Sequence, residues 1–228
     1  MNDAHRLPVR RVRWKAGCRI VPTRYPSIYL FDRVADAEDF DALYALEALT
    51  NDRVRDEIGD IALVPPADRV FGAGSGPIMA AFTHVNPNGS RFSDGQWGVF
   101  YAAAERRTAV EETKYHHARF LAATCEAPCH LSMRLYHVRI DAELHDLRGA
   151  RGDLQRALDP DSYAASQALA RELRAAGAHG IAYGSVRYAG GECVGLFRPR
   201  GAKACVHAAY LLYAWDGERF SDVYEQLT

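Results

Sequence analysis

The stretch GSRFSDGQWGVFYAAAERRTAVEETKYHH, residues 89–117, decides how the rest of the chain is read. A turn rich in Gly, Ser and Asp carries Arg91. A short apolar run from Val99 to Ala103 follows, and a helix is predicted from about Glu105 to Ala123. Val99, Phe100 and Tyr101 are strand formers set between a glycine and an alanine run. Ala109, Glu112, Thr113 and His116 recur at one-face helical spacing. An arginine before the strand, a tyrosine within it and a glutamate on the helix are thus expected to converge on one pocket. Glu111 and Glu112 are adjacent, and neighbouring helix positions diverge by about 100°, so only Glu112 is expected there. The alternative reading of Glu112 is a structural ion pair with Arg91 or Arg187. His116, one turn further, either positions that carboxylate or is a structural histidine.

Upstream, Cys18-Arg-Ile-Val21 reads as a first strand stopped by Pro22, after a basic, irregular arm over residues 1–15. Arg19 is its odd member, either snorkelling at a sheet edge or held in a cleft for an anion. Residues 37–50 read as an amphipathic helix with Asp39 as cap and Leu43, Leu46 and Leu49 on one side. A short second helix through Val54 and Ile58 is expected after it. The Phe71–Gly76 run has the glycines of a phosphate cradle without the lysine and hydroxyl of a P-loop, so turn geometry and ligand contact both stand. Residues 78–85 fit a short helix or strand, and Asn86-Pro-Asn-Gly89 is a turn.

Downstream, residues 130–140 alternate in one phase through Leu131, Met133 and Leu135, then in the other through Tyr136, Val138 and Ile140. Such a slip predicts a bulge. A helix is expected over 162–176 with Ala165, Leu169, Leu173 and Ala176 buried, ended by Gly177. A strand from His179 runs towards Ser185 and Arg187; Gly190-Gly191 turns the chain; Val194–Phe197 and Cys205–Tyr213 are further strands. Ser185 sits in Tyr-Gly-Ser-Val-Arg, which is no nucleophile elbow, and a serine ending a strand commonly serves hydrogen bonding.

The whole chain has 228 residues, 48% hydrophobic and 25% charged, with a formal net charge of −1. That suits one globular domain able to bury a sizeable core. It offers no global basic field for nucleic acid or an anionic membrane. The opening residues lack the apolar core of a signal peptide, and no apolar run is long enough to span a bilayer. The cytoplasm is the expected location. Five cysteines, an odd number without framework spacing, read as reduced thiols. Cys125, Cys129 and His130 lack a metal-ligand pattern, and no metal is expected.

Three ordered blocks resemble the RES domain, a family named for its arginine, glutamate and serine. They are Gly-Ser-Arg91-Phe, then Gly-Val-Phe-Tyr101-Ala-Ala, then Ala-Val-Glu-Glu112-Thr, with Tyr101 and Glu112 eleven residues apart as in the family. Ser185 in Gly-Ile-Ala-Tyr-Gly-Ser-Val-Arg matches the family serine, and Arg19 in Cys-Arg-Ile resembles the first-strand arginine. Ile20 departs from the aromatic that some members have there. The resemblance covers about residues 17–213, within a single domain over 1–228 that has a short arm and tail. It implies an α+β fold of two small, roughly orthogonal sheets flanked by helices, ADP-ribosyltransferase-like. It also implies the toxin half of a bacterial toxin–antitoxin pair, with NAD as substrate. The nicotinamide–ribose bond would be cleaved and ADP-ribose passed to a protein, the enzyme making phosphoribosyl pyrophosphate among the candidates. Water or phosphate as acceptor would deplete NAD instead; an NAD-binding pseudoenzyme is the alternative of another class. Glu112, Arg91, Tyr101 and Ser185 are then the expected catalytic residues. Arg19, Arg91, Tyr101 and Ser185 are expected to bind NAD. The expected partner is an Xre-like antitoxin that plugs the cleft.

Overall fold

The computed structural model describes residues 7–25, 30–34, 36–50 and 58–226. Seven strands form one hydrogen-bonded sheet in the order β1-β2-β5-β4-β3-β6-β7, and β1 also pairs with β3. The strands are β1 (Val9–Pro22), β2 (Phe100–Ala103), β3 (Cys129–Asp146), β4 (Gly180–Gly184), β5 (Glu192–Leu196), β6 (Ala202–Trp215) and β7 (Phe220–Glu225). Because β1 bonds both β2 and β3, the strands β1-β2-β5-β4-β3 close on themselves. All the pairings are antiparallel except β3 with β4, which meet at His145–Ile181 and Asp146–Ala182. The α+β class expected from the sequence is the observed one. The two expected sheets are joined through β1 and β3 into a continuous network.

Helices α1 (Ala37–Thr50), α2 (Gly76–Thr83), α3 (Arg106–Ala123) and α4 (Ala164–Ala175) pack around the sheet. In α1 the cap is Asp36, whose carboxylate accepts from the Asp39 amide at 2.9 Å, so Asp39 lies in the first turn rather than at the cap. Leu43 is half-buried; the side chains of Leu46 and Leu49, and the helix expected through Val54, lie outside the described residues. In α4 the buried face is Ser166, Leu169, Ala170 and Leu173. Ala176 is exposed, one residue past the helix end. Gly177 supplies the left-handed turn there, at φ 82°.

Two apolar clusters occupy the two faces of the sheet, and bulges decide which residues join which. Val12 and Trp14 of β1 face the cluster of Phe100, Val138 and Leu196, whereas Cys18 and Ile20 face that of Met133, Leu135 and Tyr183. The register of β1 shifts between Trp14 and Gly17, which moves even-numbered residues from one face to the other. The slip predicted in β3 is present too: its register with β6 shifts between Leu135 and Tyr136.

The basic arm expected up to residue 15 is instead the first half of β1. Val12 is buried, and Arg11 and Arg13 both pair with Asp141 on β3, at 2.7 and 3.4 Å. An edge of arginines reads as solvated in sequence, yet here the opposing carboxylate and a buried valine fix it as strand.

Candidate active site

The turn that carries Arg91 is held from three sides. Gly95, at φ 93°, packs so closely on Pro87 that an added Cβ would lie 2.5 Å from its carbonyl oxygen, so only glycine fits. The Ser93 hydroxyl donates to the Trp97 carbonyl at 2.6 Å. Gln167 of α4 donates to the carbonyls of Ser90 and Ser93, at 3.0 and 3.1 Å.

Tyr101 completes this clamp from β2. Its hydroxyl lies 2.8 Å from Ser90 Oγ and accepts from the Phe92 amide at 2.9 Å. Burial, partly offset by these hydrogen bonds, pushes its pKa up to about 12. The phenol therefore stays protonated around neutral pH. Across the strands stands Gly195, where a Cβ would meet the Phe92 ring at 3.1 Å and the Tyr101 ring at 3.3 Å.

Arg91 is 5% exposed. Its guanidinium donates to the Asp159 carbonyl at 2.8 Å and the Ala157 carbonyl at 3.4 Å, and lies 4.7 Å from the Tyr163 ring centroid. Among the described residues no carboxylate lies within 4.0 Å of it. Its direct partners are thus neutral carbonyls and a ring, with the Asp159 carboxyl acting on it electrostatically from further off.

Glu112 projects from α3, whose N-terminal turns are seated by buried Thr108 and Ala109. Gly191 lets Thr108 approach, because a Cβ there would lie 2.6 Å from that side chain. The Ser185 hydroxyl, just past β4, donates to Glu112 Oε1 at 2.6 Å. It also accepts from the Arg187 and Tyr188 amides at 3.1 and 3.0 Å. Two amide donors polarise that hydroxyl towards the carboxylate, a charge-assisted bond of the stronger kind. The ion-pair alternative is not what the structure shows: neither Arg91 nor Arg187 lies within 4.0 Å of Glu112 among the described contacts. Glu111 turns away to Lys114, at 3.6 Å.

The floor beneath is Tyr183 and Cys193, opposite one another on β4 and β5. Burial pushes both pKa values up, and the Glu112 carboxylate adds to the rise while Arg91 opposes it. Glu112 and Arg91 thus act on the same buried pair from two sides. His116 keeps an exposed edge. Desolvation of the rest of its ring, then the positive charges of Arg187, His117, Arg91 and Arg119, lower its pKa to about 4. No hydrogen bond ties it to Glu112.

Arg91, Tyr101, Glu112 and Ser185 are therefore brought together, and Arg19 is not. It follows the β1 bulge onto the opposite face, 4.4 Å over the Phe100 ring. From there it donates to the Tyr101 carbonyl at 3.0 Å. Burial lowers its pKa, and its Nε has no hydrogen-bond partner. The Phe71–Gly76 loop lies on that face as well, beside a cavity of about 420 Å³ whose walls include Arg69, Phe71 and Lys203. Gly74 turns the loop against the backbone of Cys205.

Sequence reasoning missed Tyr163, Tyr183 and Cys193. The strand alternation that buries Tyr183 beside Ile181 could have flagged it; nothing local marks Tyr163 as the partner of Arg91. The five cysteines are free thiols. Among the described residues no group of three or more His, Cys, Asp or Glu side chains is placed to hold a metal ion. No described helix is long and apolar enough to cross a membrane.

A mixed sheet presenting a glutamate, a serine and a buried arginine in one place defines a class that sequence comparison identifies. The RES domain model matches residues 66–216, more than half of the chain, and the chain belongs to that family. Arg91, Tyr101, Glu112 and Ser185 fall inside the matched stretch; Arg19 precedes it. The uncharacterized protein y4oC of Sinorhizobium fredii (strain NBRC 101917 / NGR234) is 26% identical over 208 residues, spanning 90% of this chain and 85% of that protein. The crystal structure of the M. tuberculosis MbcT–MbcA toxin–antitoxin complex superposes with a TM-score of 0.43 at 10% identity, covering 92% of this chain and 87% of that one.

Proposed function

We propose that this chain is the toxin of a bacterial toxin–antitoxin pair that cleaves NAD at the nicotinamide–ribose bond and passes ADP-ribose to a protein acceptor. The observation that carries the reading is the 2.6 Å contact between Ser185 Oγ and Glu112 Oε1, in a family named for such residues. Breaking an N-glycosidic bond builds positive charge on the ribose ring. A fixed carboxylate facing that ring stabilises the charge without reorganising. Ser185 holds Glu112 at one oxygen and leaves the other for ribose hydroxyls. Nicotinamide departs with the bonding electron pair as a neutral base. The acceptor then bonds to C1′ and releases its proton to Glu112 or to solvent.

Arg91 fits an NAD phosphate oxygen, since an unpaired planar guanidinium suits that anion. Tyr101 shapes the site by holding the Ser90–Phe92 turn. Arg19 acts at one remove, through the Tyr101 carbonyl. The partner in this reading is an Xre-like antitoxin whose C-terminal segment plugs the cleft, and the whole of 1–228 is one domain, because β1 closes the sheet on which the site stands.

Purified protein incubated with NAD is expected to release nicotinamide, and Glu112→Ala to lower the rate by about 10²-fold or more, as for loss of a transition-state contact. Labelled NAD with cell lysate then reads the acceptor. Label on a protein band supports transfer; free ADP-ribose or its phosphate means NAD depletion. Binding of NAD without nicotinamide release under any acceptor would leave a binding module and sink the catalytic reading.

A further inference from the structure

Residues 157–163, running from the end of the short helical turn Gly152–Leu158 to α4, form a strap bonded to side chains of the site. Three side chains grip its backbone. Arg91 donates to the carbonyls of Ala157 and Asp159. Arg187 donates to the Pro160 carbonyl, and the Tyr115 hydroxyl approaches the same oxygen at 3.5 Å. Arg187 also stacks on the Tyr115 ring, as Arg91 does on Tyr163.

Two guanidinium groups thus hold the adjacent carbonyls of Asp159 and Pro160, and both act on His116. Neither has a carboxylate within 4.0 Å among the described residues. Asp159 on the strap accepts from the amides of Asp161 and Ser162, at 2.8 and 3.0 Å, and feels the Arg91 charge without forming an ion pair with it. Two polar atoms are left over in this same place: Arg187 Nε and the Tyr163 hydroxyl are buried without a hydrogen-bond partner. Buried donors are almost always satisfied. Two guanidinium groups on adjacent carbonyls of one strap, with two unmet polar atoms among the groups that hold it, fit a ligand carrying two adjacent anionic groups.

Resting on the proposed use of NAD, we propose that Arg187 is a second diphosphate-binding residue, which exchanges the Pro160 carbonyl for a phosphate oxygen when substrate enters. The strap between Ala157 and Tyr163 then moves with its carbonyls, and Arg91 and Arg187 take one phosphate each. Ser185 links this step to the reacting end, since its hydroxyl accepts the Arg187 amide and donates to Glu112.

Titration with inorganic pyrophosphate tests the binding directly. The protein is expected to bind it, and Arg187→Ala to weaken binding about tenfold or more, as loss of a charge-assisted contact would. Arg219→Ala, which removes an exposed charge far from the site, should leave it unchanged. Arg187→Lys keeps the charge without the planar fork and serves if the alanine variant does not fold; it should bind more weakly than the parent protein. In turnover, Arg187→Ala should raise KM for NAD about tenfold with kcat nearly retained, and leave nicotinamide riboside, which has no phosphate, unaffected. No pyrophosphate binding by the parent protein, unchanged binding in the Arg187 variants, or equal losses on NAD and nicotinamide riboside would each overturn the assignment. Should the parent protein release no nicotinamide, the catalytic proposal fails, while the pyrophosphate titration still decides Arg187.

Discussion

Tyr101, which the family resemblance assigns to catalysis and NAD binding, also holds the turn that carries Arg91. Its hydroxyl contacts Ser90 Oγ and accepts from the Phe92 amide. Tyr101→Phe leaves that amide without an acceptor, at a cost of about 1–3 kcal/mol for a buried donor left unsatisfied. Denaturant unfolding should show that loss of stability, and nicotinamide release should fall with it as the Arg91 turn loosens. A variant as stable as the parent with a collapsed rate would place the hydroxyl on the substrate instead. In the sequence Glu112 is singled out by its helix face and Ser185 by the family resemblance, and the structure brings the two into contact. Arg19 reads either as snorkelling at a sheet edge or as facing a cleft, whereas the bulge after Trp14 turns it over the Phe100 ring.

At the scale of elements, the site depends on how closely α2 meets the strand that delivers Tyr101. A Cβ at Gly98 would lie 2.2 Å from the Ala81 carbonyl oxygen and 2.4 Å from the Phe82 Cα. Those are backbone atoms of α2, which cannot turn aside as a side chain would. Gly98→Ala is therefore expected to cost about 1–3 kcal/mol, as overpacking does, and to lower the melting temperature. An unchanged melting temperature would mean that α2 can slide off the strand freely. Most elements were readable from periodicity: α3 ends at Ala123, as its pattern predicts, and β3 carries its bulge. The first half of β1 escaped because Arg10, Arg11 and Arg13 resemble a solvated arm until Asp141 is brought opposite. The strap escaped for a similar reason, since its bonds to Arg91 and Arg187 join residues 27 to 68 positions apart.

For the molecule as a whole, two histidines on α3 contribute to the loss of stability in acid. Desolvation first, with nearby positive charge, lowers His116 and His117 from 6.5 to about 4. Between these values the unfolded chain binds more protons than the folded one, so stability is complete above about pH 6.5 and falls as pH drops towards 4. Below that the histidines add nothing more. A second loss sets in as Asp141, held down to about 2 by hydrogen bonding and charge from Arg11 and Arg13, becomes protonated. Melting temperatures across pH 4 to 7 should decline more steeply in the parent than in His116→Gln/His117→Gln. Parallel curves would show that neither imidazole is desolvated enough in the folded state to hold off its proton.

Glu112 and Ser185 stand 73 positions apart, and the sheet beneath them needs β5 to join β2 to β4. During synthesis the glutamate emerges long before its serine, with no partner to orient it and no closed ring to hold it. A ribosome that stalls or a message cut short before Ser185 therefore yields a fragment without the paired groups. For a product proposed to arrest its own host, that ordering confines the hazard to chains translated past Ser185.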